Sequence, residues 1–97
     1  IVGDLFLDPV AHRVQVGETT VELTRTEFEL LVALALRPGQ VLTRHDLVTE
    51  VWDTTWVGDD RIVDVHIGNL RRKLGTDTQG RGFIDTVRGV GYRVGQP

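Results

Sequence analysis

Three short stretches at the start of the chain read as strands, the apolar residues 5–7 and then 12–16 and 19–23, where apolar and polar positions alternate, with Val14 and Val16 on one side of the second and Val21 and Leu23 on one side of the third. A period of two is what a half-buried antiparallel sheet requires, and Asp8-Pro9 and Gly17-Glu18 supply turns between the strands. The period then lengthens. Phe28, Leu31, Val32 and Ala35 recur at helical spacing, and Leu30, Leu34 and Leu36 widen the apolar face so far that this helix belongs at the centre of the core. Thr24-x-x-Glu27 has capping-box spacing at its start, and Pro38-Gly39 ends it. Thr43-x-x-Asp46 repeats the capping logic before a second helix at about 44–52, with Leu47, Val48, Val51 and Trp52 as its stripe.

A third helix is predicted at about 61–74, with Asp60 as N-cap and Gly75 as its stop. At about 100° per residue, Val63, Ile67, Leu70 and Leu74 fall in one narrow sector, and Arg61, Val65, Gly68, Asn69 and Arg72 fall opposite. One face packs and the other is presented, flanked by Asp64 and Arg71 on one side and His66 and Lys73 on the other. After a polar loop at 75–82, residues 83–94 read as a strand, a glycine-rich turn and a second strand.

At 97 residues the chain is one domain's worth, enough to bury roughly 60 to 68 % of the surface its unfolded form exposes. Hydrophobic residues at 40 % and charged residues at 26 % are those of a folding globular chain. The longest apolar run, residues 30–36, is far short of the ~18 needed to cross a bilayer, so no membrane partner is expected. Cysteine and serine are both absent, which removes disulfides, thiolate metal sites and the two commonest side-chain nucleophiles. The first residue is Ile1 rather than Met, as expected of a domain excised from a longer protein.

The net charge of −3 is unevenly placed. Residues 1–60 hold four Arg against eleven Asp and Glu, whereas residues 61–97 hold seven Arg and Lys against three Asp. Ten of the eleven basic residues are Arg, whose planar fork suits phosphate oxygens and guanine edges, although a G+C-rich genome gives the same bias. A helix with a packed back, a polar front and basic flanks fits the major groove of B-DNA. Gly68 on the front costs the helix about 1 kcal/mol relative to Ala and hints at close approach by a partner. Arg88-Gly89-Val90-Gly91 at a hairpin tip projects an Arg in a form suited to a minor groove, or is simply a turn that needs Gly.

Other signals fall short of a site. His45-Asp46 supplies too few metal ligands, and Asp46 is explained by capping. Residues 53–64 imitate a calcium loop, but Thr55, Val57 and a final Asp64 break its ligand set. Gly80-x-Gly82 and Gly89-x-Gly91 lack the third glycine of a dinucleotide fingerprint. No metal, cofactor or catalytic residue is expected. His12 reads as a surface or structural histidine within strand alternation.

The stretches LTRTEFELL (23–31), RHDLVTEVW (44–52), RIVDVHIGNLRRKLG (61–75) and TVRGVGYRV (86–94) resemble the winged-helix effector domain of OmpR/PhoB-type two-component response regulators, in order and at that family's spacing. The resemblance implies an α+β winged helix-turn-helix: an N-terminal four-stranded antiparallel sheet, three helices and a C-terminal β-hairpin wing. It implies a sequence-specific double-stranded DNA-binding domain in a cytoplasmic bacterial regulator of transcription, with the third helix in the major groove and the wing in the minor groove. Base-contacting places fall on Asp64, Val65, Asn69 and Arg88, where Val65 suits a thymine methyl and Asn69 suits adenine. Phosphate-contacting places fall on Trp52, Arg61, His66, Arg71, Thr86 and Tyr92, joined by Arg72 on the presented face.

The link at 53–60 corresponds to a loop that can contact RNA polymerase, placing Asp53, Thr54, Thr55, Trp56, Val57 and Gly58 in that role, with Trp56 either an exposed contact or folded back onto the core. Further implications are a phosphoacceptor receiver domain ahead of Ile1, a sensor kinase acting through it, tandem half-sites bound by a full-length dimer, and a monomeric isolated domain. The alternative function is a winged-helix protein-interaction module without direct DNA readout. Several members of that family carry Arg where Gly68 and Asn69 stand, and they often have Pro where Arg25 stands.

Overall fold

The computed structural model describes residues 4–52, 60–76, 80 and 82–95. Three short strands, β1 (Leu5–Asp8), β2 (Arg13–Val16) and β3 (Thr19–Thr20), form an antiparallel sheet in the order β1-β2-β3, with Leu5 opposite Val16 and Gln15 opposite Thr20. The Asp8 carboxylate accepts the amides of Val10 (3.1 Å) and Ala11 (3.2 Å), so the turn after β1 is closed by a side chain. His12 lies in that turn rather than in β2, at a φ of 52°, with its ring stacked 4.6 Å from that of Phe28. The helices follow as α1 (Arg25–Ala35), α2 (Arg44–Val51) and α3 (Ile62–Leu74), with β4 (Leu42–Thr43) between the first two and β5 (Ile84–Val87) and β6 (Gly91–Val94) last.

Among the described residues the N-terminal sheet has three strands, as the alternation predicts, and not the four that the resemblance implied. Likewise the wing is more than a hairpin. β4 pairs with β6, Leu42 opposite Tyr92 and Thr43 opposite Gly91, making a second three-stranded sheet in the order β4-β6-β5. Gly91 permits this, because a Cβ there would lie 2.0 Å from the Leu42 carbonyl oxygen.

Both capping boxes form. Thr24 Oγ1 accepts the Glu27 amide at 3.2 Å while Glu27 Oε1 accepts the Thr24 amide at 3.0 Å, and Thr43 and Asp46 exchange the same pair at 3.0 Å each. The predicted Asp60 cap does not. Arg61 precedes α3 in a helical conformation, and the first turn closes through the amides of Val63 and Asp64 on the carbonyls of Asp60 and Arg61, so Asp60 serves through its backbone. Gly75 ends α3 at a φ of 69°.

α1 is the hub, packed against α2, α3 and β6. Leu30, Leu31 and Leu34 are solvent-free, as are Leu47 of α2, Val63 and Leu70 of α3 and Val94 of β6. Each such side chain contributes about 1.5–3 kcal/mol on transfer from water. After α1 the chain reverses through Gly39, whose φ is 79° and whose amide donates to the Val94 carbonyl, so the helix end is fastened to the second sheet. Arg37 fastens it to α2, donating to the Ala33 carbonyl (3.2 Å) and pairing with Glu50 (2.7 Å).

Candidate nucleic-acid interface

α3 buries Val63, Ile67, Leu70 and Leu74 and turns the opposite face outward. Val65 on that outer face is 63 % exposed, and a Cβ built on Gly68 would meet nothing within 4 Å. Asn69 is partly exposed and Arg72 exposed. Arg72 donates from Nη2 to the Asn69 carbonyl oxygen. The four residues form one open strip, and Arg61 stands exposed at its N-terminal end.

Beside the strip, α3 is joined to the second sheet by an ionic cluster. Asp64 Oδ1 accepts from Arg44 Nε of α2 at 2.8 Å and from the Tyr92 hydroxyl of β6. The guanidinium groups of Arg44 and Arg71 lie over the Tyr92 ring, 5.8 and 5.5 Å from its centre. Arg71 Nη2 in turn reaches β5, donating to the Ile84 carbonyl (3.0 Å) and the Thr86 hydroxyl (2.6 Å). Burial pushes the Asp64 carboxyl up, but the hydrogen bonds from Arg44 and Tyr92 and the charges of Arg44 and Arg61 outweigh it and hold it below its ordinary value. The Tyr92 hydroxyl moves the other way, raised by burial and by its bond to a carboxylate.

The structure therefore divides the sequence-predicted residues. Val65, Asn69 and Arg72 share the open face, and Arg88 sits in the exposed β5–β6 turn with no hydrogen bond or ion pair to another described residue. Asp64, Arg71, Thr86 and Tyr92 are linked to one another, so they fix the angle between α3 and the wing as well as bordering the strip. Trp52 and His66 meet at the flank of the strip opposite Asp64 and Arg71, ring centres 5.5 Å apart and tilted 51°. Residues 53–58, with Trp56, lie outside the described residues. Among the described residues no group of three or more His, Cys, Asp or Glu could hold a metal, and no helix is long and apolar enough to cross a membrane.

Two residues of the joint carried no functional reading in the sequence. Arg44 looked only like the first residue of α2, because its partners lie 20 and 48 positions away, beyond any local periodicity. Lys73 looked like a flank, yet its Nζ lies 2.7 Å from Glu27 Oε1, a carboxylate on a residue only 2 % exposed. Of the three basic residues closing α3, Arg71 is tied to β5 and Lys73 to α1, which leaves Arg72 on the open strip.

Residues 17–94 match the family described as "Transcriptional regulatory protein, C terminal". Over its whole length the chain is 43 % identical to the alkaline phosphatase synthesis transcriptional regulatory protein PhoP of Bacillus subtilis, covering 40 % of that protein. It is 44 % identical over 96 residues to the DNA-binding response regulator MtrA of Mycolicibacterium smegmatis, covering 99 % of the chain and 42 % of that regulator. It thus spans about two fifths of the length of these relatives. Among solved structures, the RstA DNA-binding domain of Klebsiella pneumoniae, in complex with the RstA box, superposes with a TM-score of 0.85 at 37 % identity, covering 98 % of the chain and 94 % of that domain. By sequence match and fold together, the chain belongs to the C-terminal domain family of OmpR/PhoB-type transcriptional regulatory proteins.

Proposed function

We propose that the chain binds double-stranded DNA in a sequence-dependent manner, as the effector domain of a two-component response regulator that controls transcription. One observation carries this reading: α3 presents an open strip and the β5–β6 turn an exposed Arg88, and the Arg71 bridge ties α3 to β5, the strand that leads into that turn. The strip has the chemistry of a major-groove reader, and an arginine on a two-strand neck suits a narrow minor groove. The likeness to RstA, solved on its DNA box, supports the same docking.

In this reading Val65, Asn69 and Arg88 touch bases, and Asp64 borders them with a carboxylate already held by Arg44 and Tyr92. Trp52, Arg61, His66, Arg71, Arg72, Thr86 and Tyr92 line the phosphate path, Arg71 and Tyr92 chiefly by setting the angle of the wing. Residues 53–58 would face RNA polymerase, and a receiver domain ahead of Ile1 would take a phosphoryl group from a sensor kinase. The full-length cytoplasmic protein would bind tandem half-sites as a dimer, about one helical turn apart. Catalysis has no part in it.

The test is a titration of the chain against duplexes of varied sequence, at several salt concentrations. Binding that is tighter for some sequences and weakens steeply with salt is the expected result. If charge reversal by Arg72→Glu leaves DNA affinity unchanged, the α3 face serves a protein partner instead and the reading fails.

A further inference from the structure

An asparagine that reads DNA alone prefers adenine, because its amide donates to N7 while its carbonyl oxygen accepts from the N6 amino group. In this chain that carbonyl oxygen is engaged. Helical side chains lean toward the N-terminus, so Arg72, three residues after Asn69, lies back over it and donates from Nη2 to Asn69 Oδ1. No competing carboxylate draws Arg72 away among the described residues, whereas Arg71 and Lys73 are committed to β5 and α1. Gly68, one position before Asn69, leaves the helix surface open to a base edge.

We infer that Asn69 and Arg72 act as one donor-only unit, which selects guanine rather than adenine at the base pair facing Asn69. What the pair turns outward is an amide NH2 and the remaining N–H groups of a guanidinium. Guanine presents two acceptors in the major groove, N7 and O6, and satisfies both donors. Adenine would set its own amino group against one of them, and cytosine offers an amino group alone. Arg72 thereby gains a second role: its charge still faces the phosphate path expected from sequence, and its hydrogen bond to Asn69 sets the base preference. The inference rests on the DNA-binding reading above and corrects the adenine preference that Asn69 by itself suggests.

Selection of bound sites from randomised duplexes, run in parallel on the unaltered chain, Asn69→Ala and Arg72→Ala, tests it. The base position facing residue 69 is the one whose preference Asn69→Ala flattens. There the unaltered chain should favour guanine over adenine by about tenfold, and Arg72→Ala, which frees the carbonyl oxygen, should shift the preference to adenine. Adenine already preferred by the unaltered chain, or guanine still preferred by Arg72→Ala, overturns the coupling while leaving DNA binding intact. Failure of the unaltered chain to enrich any site overturns both. If Arg72 served the phosphates alone, its loss would lower affinity on every sequence alike and leave the base preference unmoved, which overturns the coupling.

Discussion

A methyl group added at Gly91 would lie 2.0 Å from the Leu42 carbonyl oxygen and 2.8 Å from the Thr43 Cα, inside strand β4. Neither atom belongs to a flexible side chain, so Gly91→Ala has to part β4 from β6, and a loss of about 3 kcal/mol in urea unfolding is expected. Gly68 is the opposite case. It lies in the middle of α3 with nothing within 4 Å of a built Cβ, and Gly68→Ala should stabilise the chain by about 1 kcal/mol through helix propensity alone. If a DNA edge seats against that backbone, the same substitution lowers affinity while raising the melting temperature. Affinity unchanged by Gly68→Ala would show that the glycine serves no close approach.

The join between α1 and α3 depends on Glu27, which caps one helix and pairs with Lys73 at the end of the other. Burial raises its carboxyl, but the Lys73 hydrogen bond, the Thr24 amide and the Lys73 charge together hold it below its ordinary value. The folded chain thus binds that proton less tightly than the unfolded chain, so the stabilisation is complete above the unfolded carboxyl range, about pH 4.3, and is lost as pH falls through the lower folded value. Asp46 and Asp64 are shifted in the same direction and add to the same acid limb. Thermal melts between pH 3 and 7 should therefore fall steeply only at the acid end. Glu27→Gln keeps the cap but not the charge, and should cost about 2 kcal/mol at neutral pH and flatten that limb; the figure is below the range for fully buried pairs because Lys73 is 40 % exposed. An acid limb of unchanged slope would remove Glu27 from the account. The cap was legible in the sequence, since Thr24 and Glu27 are three residues apart, and so was the buried stripe of α3. Lys73 was not, being 46 positions from Glu27, nor was the tie of Asp64 to Arg44 and Tyr92 across three elements. The β4–β6 pairing stayed hidden for a related reason: a two-residue strand carries no alternation, and Gly91 read as a turn glycine.

Taken whole, the chain is acidic, yet charge acts on DNA only within a Debye length, about 8–10 Å in ordinary buffers, whereas the molecule is 39 Å along its longest axis. What decides is the cationic charge that remains uncancelled near the groove. Arg44 and Arg61 both face the Asp64 carboxylate, and Lys73 is neutralised by Glu27. Arg71, Arg72 and Arg88 have no carboxylate partner among the described residues, since Arg71 and Arg72 donate to neutral oxygens. Three such charges, each displacing about one counterion, give a slope near −3 for the logarithm of the binding constant against the logarithm of salt concentration. Arg88→Ala should bring the slope to about −2 and weaken binding most on sites with A·T-rich flanks. Arg25→Ala removes another exposed cation, from α1, one already paired with Glu29 at 3.0 Å, and should leave the slope where it was. The two variants change net charge equally, so their difference isolates position from amount. If Arg25→Ala flattened the salt dependence as much as Arg88→Ala, attraction would be spread over the whole surface and the wing would lose its assigned place in the groove.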